Sequence, residues 1–288
     1  MWVRLGVLIL WLIHFLPFRL IVAIGNGLGS LLYLLAAERR RVGDVNLKLC
    51  FPDMSDEARR QLMREHFKMF ARGLIERSVL WWASAKRING LIRVEGIAHF
   101  ESIKGRPAIL LTPHFVGMDA GGQWVAQHTD TVCMYANQKN VYLTELLLKK
   151  RARFRTQLLY SRQQGLRPII KGMRANMPFI YPPDQDQGVK DGVFVPFFGV
   201  PAATMTSVSR IALMTGAQVV PSITRVLPEG GYVLSFYPAW ENYPSGDEVA
   251  DARRMNEFIE QRILEMPAQY FWLHKRFKTR PQGEAKYY

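Results

Sequence analysis

Apolar positions follow two different rhythms along this chain. From Leu5 to Leu16 almost every residue is apolar; Pro17-Phe18-Arg19 interrupts, and Leu20 to Ala37 continues for eighteen residues before Glu38-Arg39-Arg40-Arg41. As a helix the second run would reach about 27 Å, close to the hydrocarbon thickness of a bilayer. The pattern predicts a hydrophobic membrane anchor over residues 1–37 and a separate globular domain over 38–288. Arginines directly after such a segment favour the cytoplasmic side. Ala36-Ala37 would also suit a cleaved signal peptide, but the apolar stretch exceeds a signal core and no disulfide-rich domain follows. Gly25, Gly27 and Gly29 leave room for a third reading, a buried globular helix pair.

After residue 38 the apolar residues fall into short blocks. Arg41 to Pro52 reads as a connector. Ser55-Asp56-Glu57 supplies a cap and acidic first turn, and Leu62, Phe67, Phe70, Leu74 and Ile75 recur at helical spacing, so a helix runs to about Trp82. Strands are expected at Ile92 to Glu95, Ala108 to Thr112, Val132 to Tyr135, Phe179 to Tyr181, Val219 to Ile223 and Tyr232 to Tyr237. Helices are expected at Asp119 to Gln127, Leu143 to Phe154, Pro168 to Asn176 and Met205 to Thr215, with a small helix or turn at Phe100 to Ile103. The alternation predicts an α/β fold: a single layered domain whose mostly parallel central sheet is flanked by helices.

With 288 residues, 49% of them hydrophobic, disorder is not indicated. The formal charge of +14 calls for anionic partners: nucleic acid, an acidic protein or a phosphate-bearing membrane surface. Cys50 and Cys133 are too few for a disulfide framework and lack zinc spacing, which fits a reducing compartment.

In an open α/β sheet, functional residues gather at the C-terminal ends of strands. His114 follows the Ala108 to Thr112 strand there, with Asp119 five residues on. If the chain folds back at Gly117, Asp119 could fix the imidazole tautomer and leave the other nitrogen to take a proton from a substrate hydroxyl. The plain structural alternative is a strand-end histidine capped by a helix N-terminal aspartate. Lys149 to Arg155, KKRARFR, packs five basic residues into seven positions, a density suited to gripping phosphate or carboxylate. Nucleic acid could use the same charges, but no glycine-rich phosphate loop, zinc finger or RNA-binding aromatic signature is present. Asp184 and Asp186 bracket one residue after the Phe179 strand. They could hold a cation under a sugar nucleotide, stand beside His114, or make a turn. Gln269 to Pro281 mixes large aromatics with basic residues, as at a bilayer boundary or a charged-rimmed core. Its His274 has no evident metal partner.

Taken together, the hydrophobic N-terminus, Arg39-Arg40-Arg41…Asn46-Leu47…Phe51-Pro52, His114 with Asp119, Asp184-Gln-Asp186 with Gly188, and Phe271-Trp-Leu-His-Lys-Arg-Phe277 resemble the late acyltransferases of lipid A biosynthesis, the lauroyl/myristoyl acyltransferase family of Gram-negative bacteria. The resemblance implies a glycerolipid-acyltransferase-like catalytic domain on the cytoplasmic side of the inner membrane. It would move a fatty acyl chain from acyl carrier protein to a hydroxyacyl chain of an anionic, Kdo-bearing lipid A precursor, in contact with inner-membrane lipid and without nucleic acid, cofactor or metal. His114 would be the general base and Asp119 its orienting partner. Arg153, with Arg155 close behind, best matches a functional basic residue that follows the motif in that family; Asp184 and Asp186, read from the residues themselves as acids beside His114, would help order a basic, substrate-binding wall. The related glycerol-phosphate and lysophospholipid acyltransferases share the histidine motif but usually carry a Glu-Gly-Thr-Arg phosphate block. Its absence here moves the expectation away from them. A metal-dependent glycosyltransferase using Asp184 and Asp186, and a non-catalytic anchored basic module, are the alternatives of other kinds.

Overall fold

The computed structural model describes residues 2–136, 140–190 and 192–288. Five helices open the chain: α1 (Trp2–Ile13), α2 (Phe18–Leu35), α3 (Ala37–Cys50), α4 (Asp56–Trp82) and α5 (Ala85–Asn89). An alternating segment follows: β1 (Ile92–Glu95), α6 (Ile97–Glu101), β2 (Ala108–Leu111), α7 (Met118–His128), β3 (Thr131–Tyr135), α8 (Val141–Arg151), β4 (Gln157–Ser161), α9 (Arg167–Arg174) and β5 (Phe179–Tyr181). The chain then forms the hairpin β6 (Gly192–Phe197) and β7 (Val200–Met205), α10 (Ser207–Thr215), β8 (Gln218–Val226), β9 (Tyr232–Phe236) and α11 (Glu248–Glu265).

Seven strands make one sheet in the order β1-β9-β8-β2-β5-β3-β4. Every pairing is parallel except β8 with β9, so the sheet is mostly parallel, as expected. All four residues of β2 are buried, and they alternate between the two faces. Ile109 and Leu111 join a core with α9, α10 and α11, whereas Ala108 and Leu110 join one with α7 and the end of α4. Both faces of the sheet are therefore covered, the condition under which parallel strands are stable.

The connector expected over Arg41 to Pro52 is instead mostly helix. Val42, Gly43, Asn46, Leu47 and Cys50 form the buried stripe of α3; a glycine and an asparagine within it disguise the spacing. Asn46 donates from Nδ2 to the carbonyls of Trp272 (2.6 Å) and His274 (2.8 Å), so two blocks distant in sequence lock together. The tail is also stitched to the loop after β2, where Val116 N donates to Gln269 O (2.9 Å) and Phe271 N to His114 O (3.0 Å).

α2 lies along α4 through two glycines. A Cβ at Gly25 would come within 2.8 Å of Arg72 Cα, and one at Gly29 within 2.4 Å of Lys68 Cα. Arg72 and Glu76 form a buried ion pair at 2.9 Å; Arg72 also donates to the carbonyls of Leu227 and Pro228, and Tyr232 Oη donates to Glu76 at 2.5 Å. Among the described residues α2 is the one helix long and apolar enough to cross a membrane.

On the opposite side of α4, His66 is fully buried and shares a hydrogen bond with Ala268 O through Nδ1 (2.9 Å). Burial pushes its pKa down to about 4. A histidine titrating lower in the folded than in the unfolded chain contributes fully above pH 6.5 and loses that contribution as the pH falls toward 4, here about 3 kcal/mol. Urea denaturation should thus show a fall in stability between pH 7 and pH 4.5. His66→Asn should be weaker at pH 7 but fall less over that range; an unchanged slope would remove His66 as the cause.

Candidate active site

Leu111 and Tyr181 are register partners in β2 and β5, and His114 and Asp184 each lie three residues beyond their member of that pair. Parallel strands deliver their C-terminal loops to the same edge, so the sheet itself brings imidazole and carboxylate together. His114 Nδ1 is 2.7 Å from Asp184 Oδ1, and the His114 backbone amide lies 3.1 Å from both carboxylate oxygens. Asp184 is 2% exposed. Burial pushes its carboxyl upward, but the charge and hydrogen bonds of His114 outweigh that and hold it below the usual carboxylate range. In the neutral ring, an ionised carboxylate beside Nδ1 selects the tautomer with the proton on Nδ1 and the lone pair on Nε2.

The carboxylate on the imidazole is therefore Asp184, where the sequence pointed to Asp119. Asp119 lies in the first turn of α7 and faces two guanidiniums: Arg77 Nε at 2.7 Å from Oδ2 and Arg151 Nη2 at 3.5 Å from Oδ1. Burial would raise its pKa, but Arg77 and then Arg151 outweigh it and hold the carboxyl at about 2. The chain does turn at Gly117. A Cβ there would sit 2.4 Å from Thr224 O, and one at Gly121 2.1 Å from Thr224 Oγ1, so α7 starts hard against β8 and presents Asp119 to α4.

The basic run is split by the helix that carries it. Arg151 reaches Asp119. Arg153 donates to Ala83 O at 2.6 Å, its guanidinium 4.2 Å from the centre of the Phe154 ring. Arg155 donates to Gln127 O at 3.0 Å and lines a groove with Lys104, His128 and Asp130, at the N-terminal ends of the strands. Arg155 is thus on the sheet edge opposite His114, and Arg153 is committed to a backbone carbonyl. Arg77 and Arg151 are the basic residues at the site. Arg151 could have been singled out as the member of the run closing a helical turn; Arg77 is marked only as a charge inside the apolar stretch at the end of α4.

Asp186 is fully buried and bonded within the protein. It accepts from Gly188 N (2.9 Å), Thr279 N (2.8 Å) and Thr279 Oγ1 (2.8 Å), tying the loop after β5 to the C-terminal tail. With Asp184 given to His114, the two acids act separately. Among the described residues no cluster of three or more histidine, cysteine or acidic side chains could hold a metal ion, so the geometry does not support a cation-binding pair.

Two voids share wall residues at this point. An open groove of about 530 Å³ is lined by His114, Phe70, Arg77 and Phe271. A mainly apolar cavity of about 670 Å³ is lined by Leu80, Trp81, Ala126, Met134, Ile180 and Arg151. Met118 and Asp119 border both. Gly122 lines the apolar cavity and a narrower space of about 340 Å³ between α7 and β8. An imidazole with a free nitrogen at one end and a hydrocarbon-lined slot at the other suit chemistry on a hydroxyl beside a long apolar chain.

Comparison with known proteins points the same way. The family model described as bacterial lipid A biosynthesis acyltransferase matches residues 1–279. The lipid A biosynthesis lauroyltransferase of Escherichia coli (strain K12) is 34% identical over 288 residues, covering 99% of this chain and 94% of that protein. The palmitoleoyltransferase of the same strain is 30% identical, covering 100% and 94%, and its myristoyltransferase 29% identical, covering 88% and 80%. A match over nearly the whole length shows that this chain is an acyltransferase and belongs to the bacterial lipid A biosynthesis acyltransferases.

Proposed function

We propose that this enzyme takes its acyl group from acyl carrier protein and places it on the hydroxyl of a hydroxyacyl chain in a Kdo-bearing lipid A precursor, with its catalytic domain on the cytoplasmic face of the inner membrane. The observation that carries the reading is that the groove lined by His114 and the apolar cavity share Met118 and Asp119 as walls, which puts His114 next to a space suited to hydrocarbon.

The acceptor hydroxyl enters the groove and gives its proton to His114 Nε2, while Asp184 holds the ring in the required tautomer and offsets the charge it gains. The oxygen attacks the thioester carbonyl, and the tetrahedral intermediate collapses with departure of the thiolate, which recovers the proton from the imidazolium. No covalent enzyme intermediate is needed, since the thioester arrives activated. Two guanidiniums against one carboxylate leave one positive charge in excess at the junction. That excess stabilises the oxyanion, and Asp119 keeps Arg77 and Arg151 in place. The acyl chain occupies the apolar cavity, extending toward Gly122.

Incubating membranes that contain the protein with a panel of acyl carrier protein thioesters and the lipid precursor, then weighing the product, tests the whole reading. One acyl mass added to the precursor is expected; no added mass with any thioester overturns it. Arg151→Ala is expected to lower kcat about tenfold with KM little changed, less than the ~10²–10³ that loss of a direct oxyanion donor costs. A rise in KM at constant kcat would make Arg151 a ground-state binding residue instead.

A further inference from the structure

Lys149 and Lys150 belong to the part of the basic run that the active site does not use, and neither is spent on a backbone carbonyl as Arg153 and Arg155 are. Together with Arg4, Trp11, Trp82 and Tyr142 the two lysines line an open groove of about 630 Å³ between α1 and α8. Lys150 Nζ stands 4.7 Å from the centre of the Trp82 ring, and the Arg4 guanidinium 5.6 Å from that of Tyr142. No carboxylate lines this groove, and among the described residues none pairs with any of the three cations. Lys150 is held below its usual pKa by partial burial and by the charges of Arg153 and Lys149. An anion placed here would meet three positive charges and no competitor.

The helix that forms one wall says what kind of anion. α1 has no buried residue, and Trp2 (77% exposed), Leu5, Leu8, Ile9, Leu12 and Phe15 are bare. At twelve residues it is about 18 Å long, too short to cross the roughly 30 Å of hydrocarbon. α2 cannot cross alone either, because its seat at Gly25 and Gly29 would draw the exposed Arg64 and Lys68 of α4 into the membrane with it. The two helices therefore bed into one leaflet. Arg4, on the rim of α1, then lies at headgroup level, where basic and aromatic side chains belong.

We propose that the α1–α8 groove binds the phosphate of an anionic membrane phospholipid and so fixes how the enzyme sits on the bilayer. Binding of the full-length protein to vesicles of phosphatidylcholine alone and of phosphatidylcholine with phosphatidylglycerol tests this by co-sedimentation, independently of turnover. At about fivefold per cation near an anionic surface, three cations give roughly a 100-fold preference for the anionic vesicles. Arg4→Gln/Lys149→Gln/Lys150→Gln should erase most of that preference and keep binding to neutral vesicles. Lys104→Gln/Arg106→Gln/Arg174→Gln, at the opposite edge of the sheet, should largely retain it. Equal losses in the two triple variants would mean diffuse attraction and overturn the site. Displacement from vesicles by inorganic phosphate at constant ionic strength would make it a free-anion site and overturn the lipid assignment. So would a groove variant that keeps its vesicle preference but no longer binds purified acyl carrier protein.

Discussion

His114→Ala is expected to reduce kcat for acyl transfer by about 10²- to 10⁴-fold, the range over which a positioned general base acts. The protein should stay folded, because the His114 side chain is about one-fifth exposed and, among the described residues, its only side-chain hydrogen-bond partner is Asp184. Asp184→Asn is expected to act almost as strongly. An amide at that position can donate to Nδ1 and stabilise the tautomer whose lone pair faces the wrong way, and it cannot balance the imidazolium. Asp119→Asn should instead act through the two guanidiniums, which lose the charge that holds them. The roles are separable by double mutants: Asp184→Asn should add little to the loss from His114→Ala, because the two side chains act as one unit, whereas Asp119→Asn should add a loss of its own. Full turnover in Asp184→Asn beside a dead Asp119→Asn would return the orienting role to Asp119.

This difference between Asp119 and Asp184 shows where the sequence is readable. A carboxylate five residues from a histidine is visible in a linear pattern. One seventy residues away becomes a neighbour only through the register of β2 on β5, which no local periodicity encodes. Arg151 parts from Arg153 and Arg155 where α8 ends, since charge density is a property of the run whereas direction depends on that end.

The elements themselves follow the same logic. β1, β2, β3, β5, β8 and β9 fall where the sequence places strands, and β2, β8 and β9 are plainest, because strands buried almost throughout read as continuous apolar runs. β4 at the sheet edge has only half-buried residues, and the β6–β7 hairpin carries Pro196 and Pro201, which argue locally against strands. α11 also lies outside the sequence expectation. Its buried positions Asp251, Ala252, Met255, Asn256, Ile259 and Ile263 recur every turn, but two are polar and charged residues surround them. Asp251 is buried because it accepts from Ser245 N at 3.0 Å, a tertiary reason invisible to a hydrophobic pattern.

Gly122→Leu is expected to shift the enzyme to shorter acyl donors. Gly122 borders the apolar cavity and the narrower space beside it, and a Cβ there meets nothing within 4 Å, so a leucine side chain is expected to fill the space proposed for the chain's end instead of straining α7. If the isobutyl group displaces three methylenes, the longer donors lose about 2.4 kcal/mol of burial, or roughly 60-fold in kcat/KM. Donors short enough to stop before Gly122 should turn over as before, because His114 and the junction at Asp119 are untouched. The distinguishing measurement is kcat/KM across a ladder of acyl carrier protein thioesters differing by two carbons. A uniform fall at every length would mean that α7 has shifted, and an unchanged ladder would mean that the chain lies elsewhere.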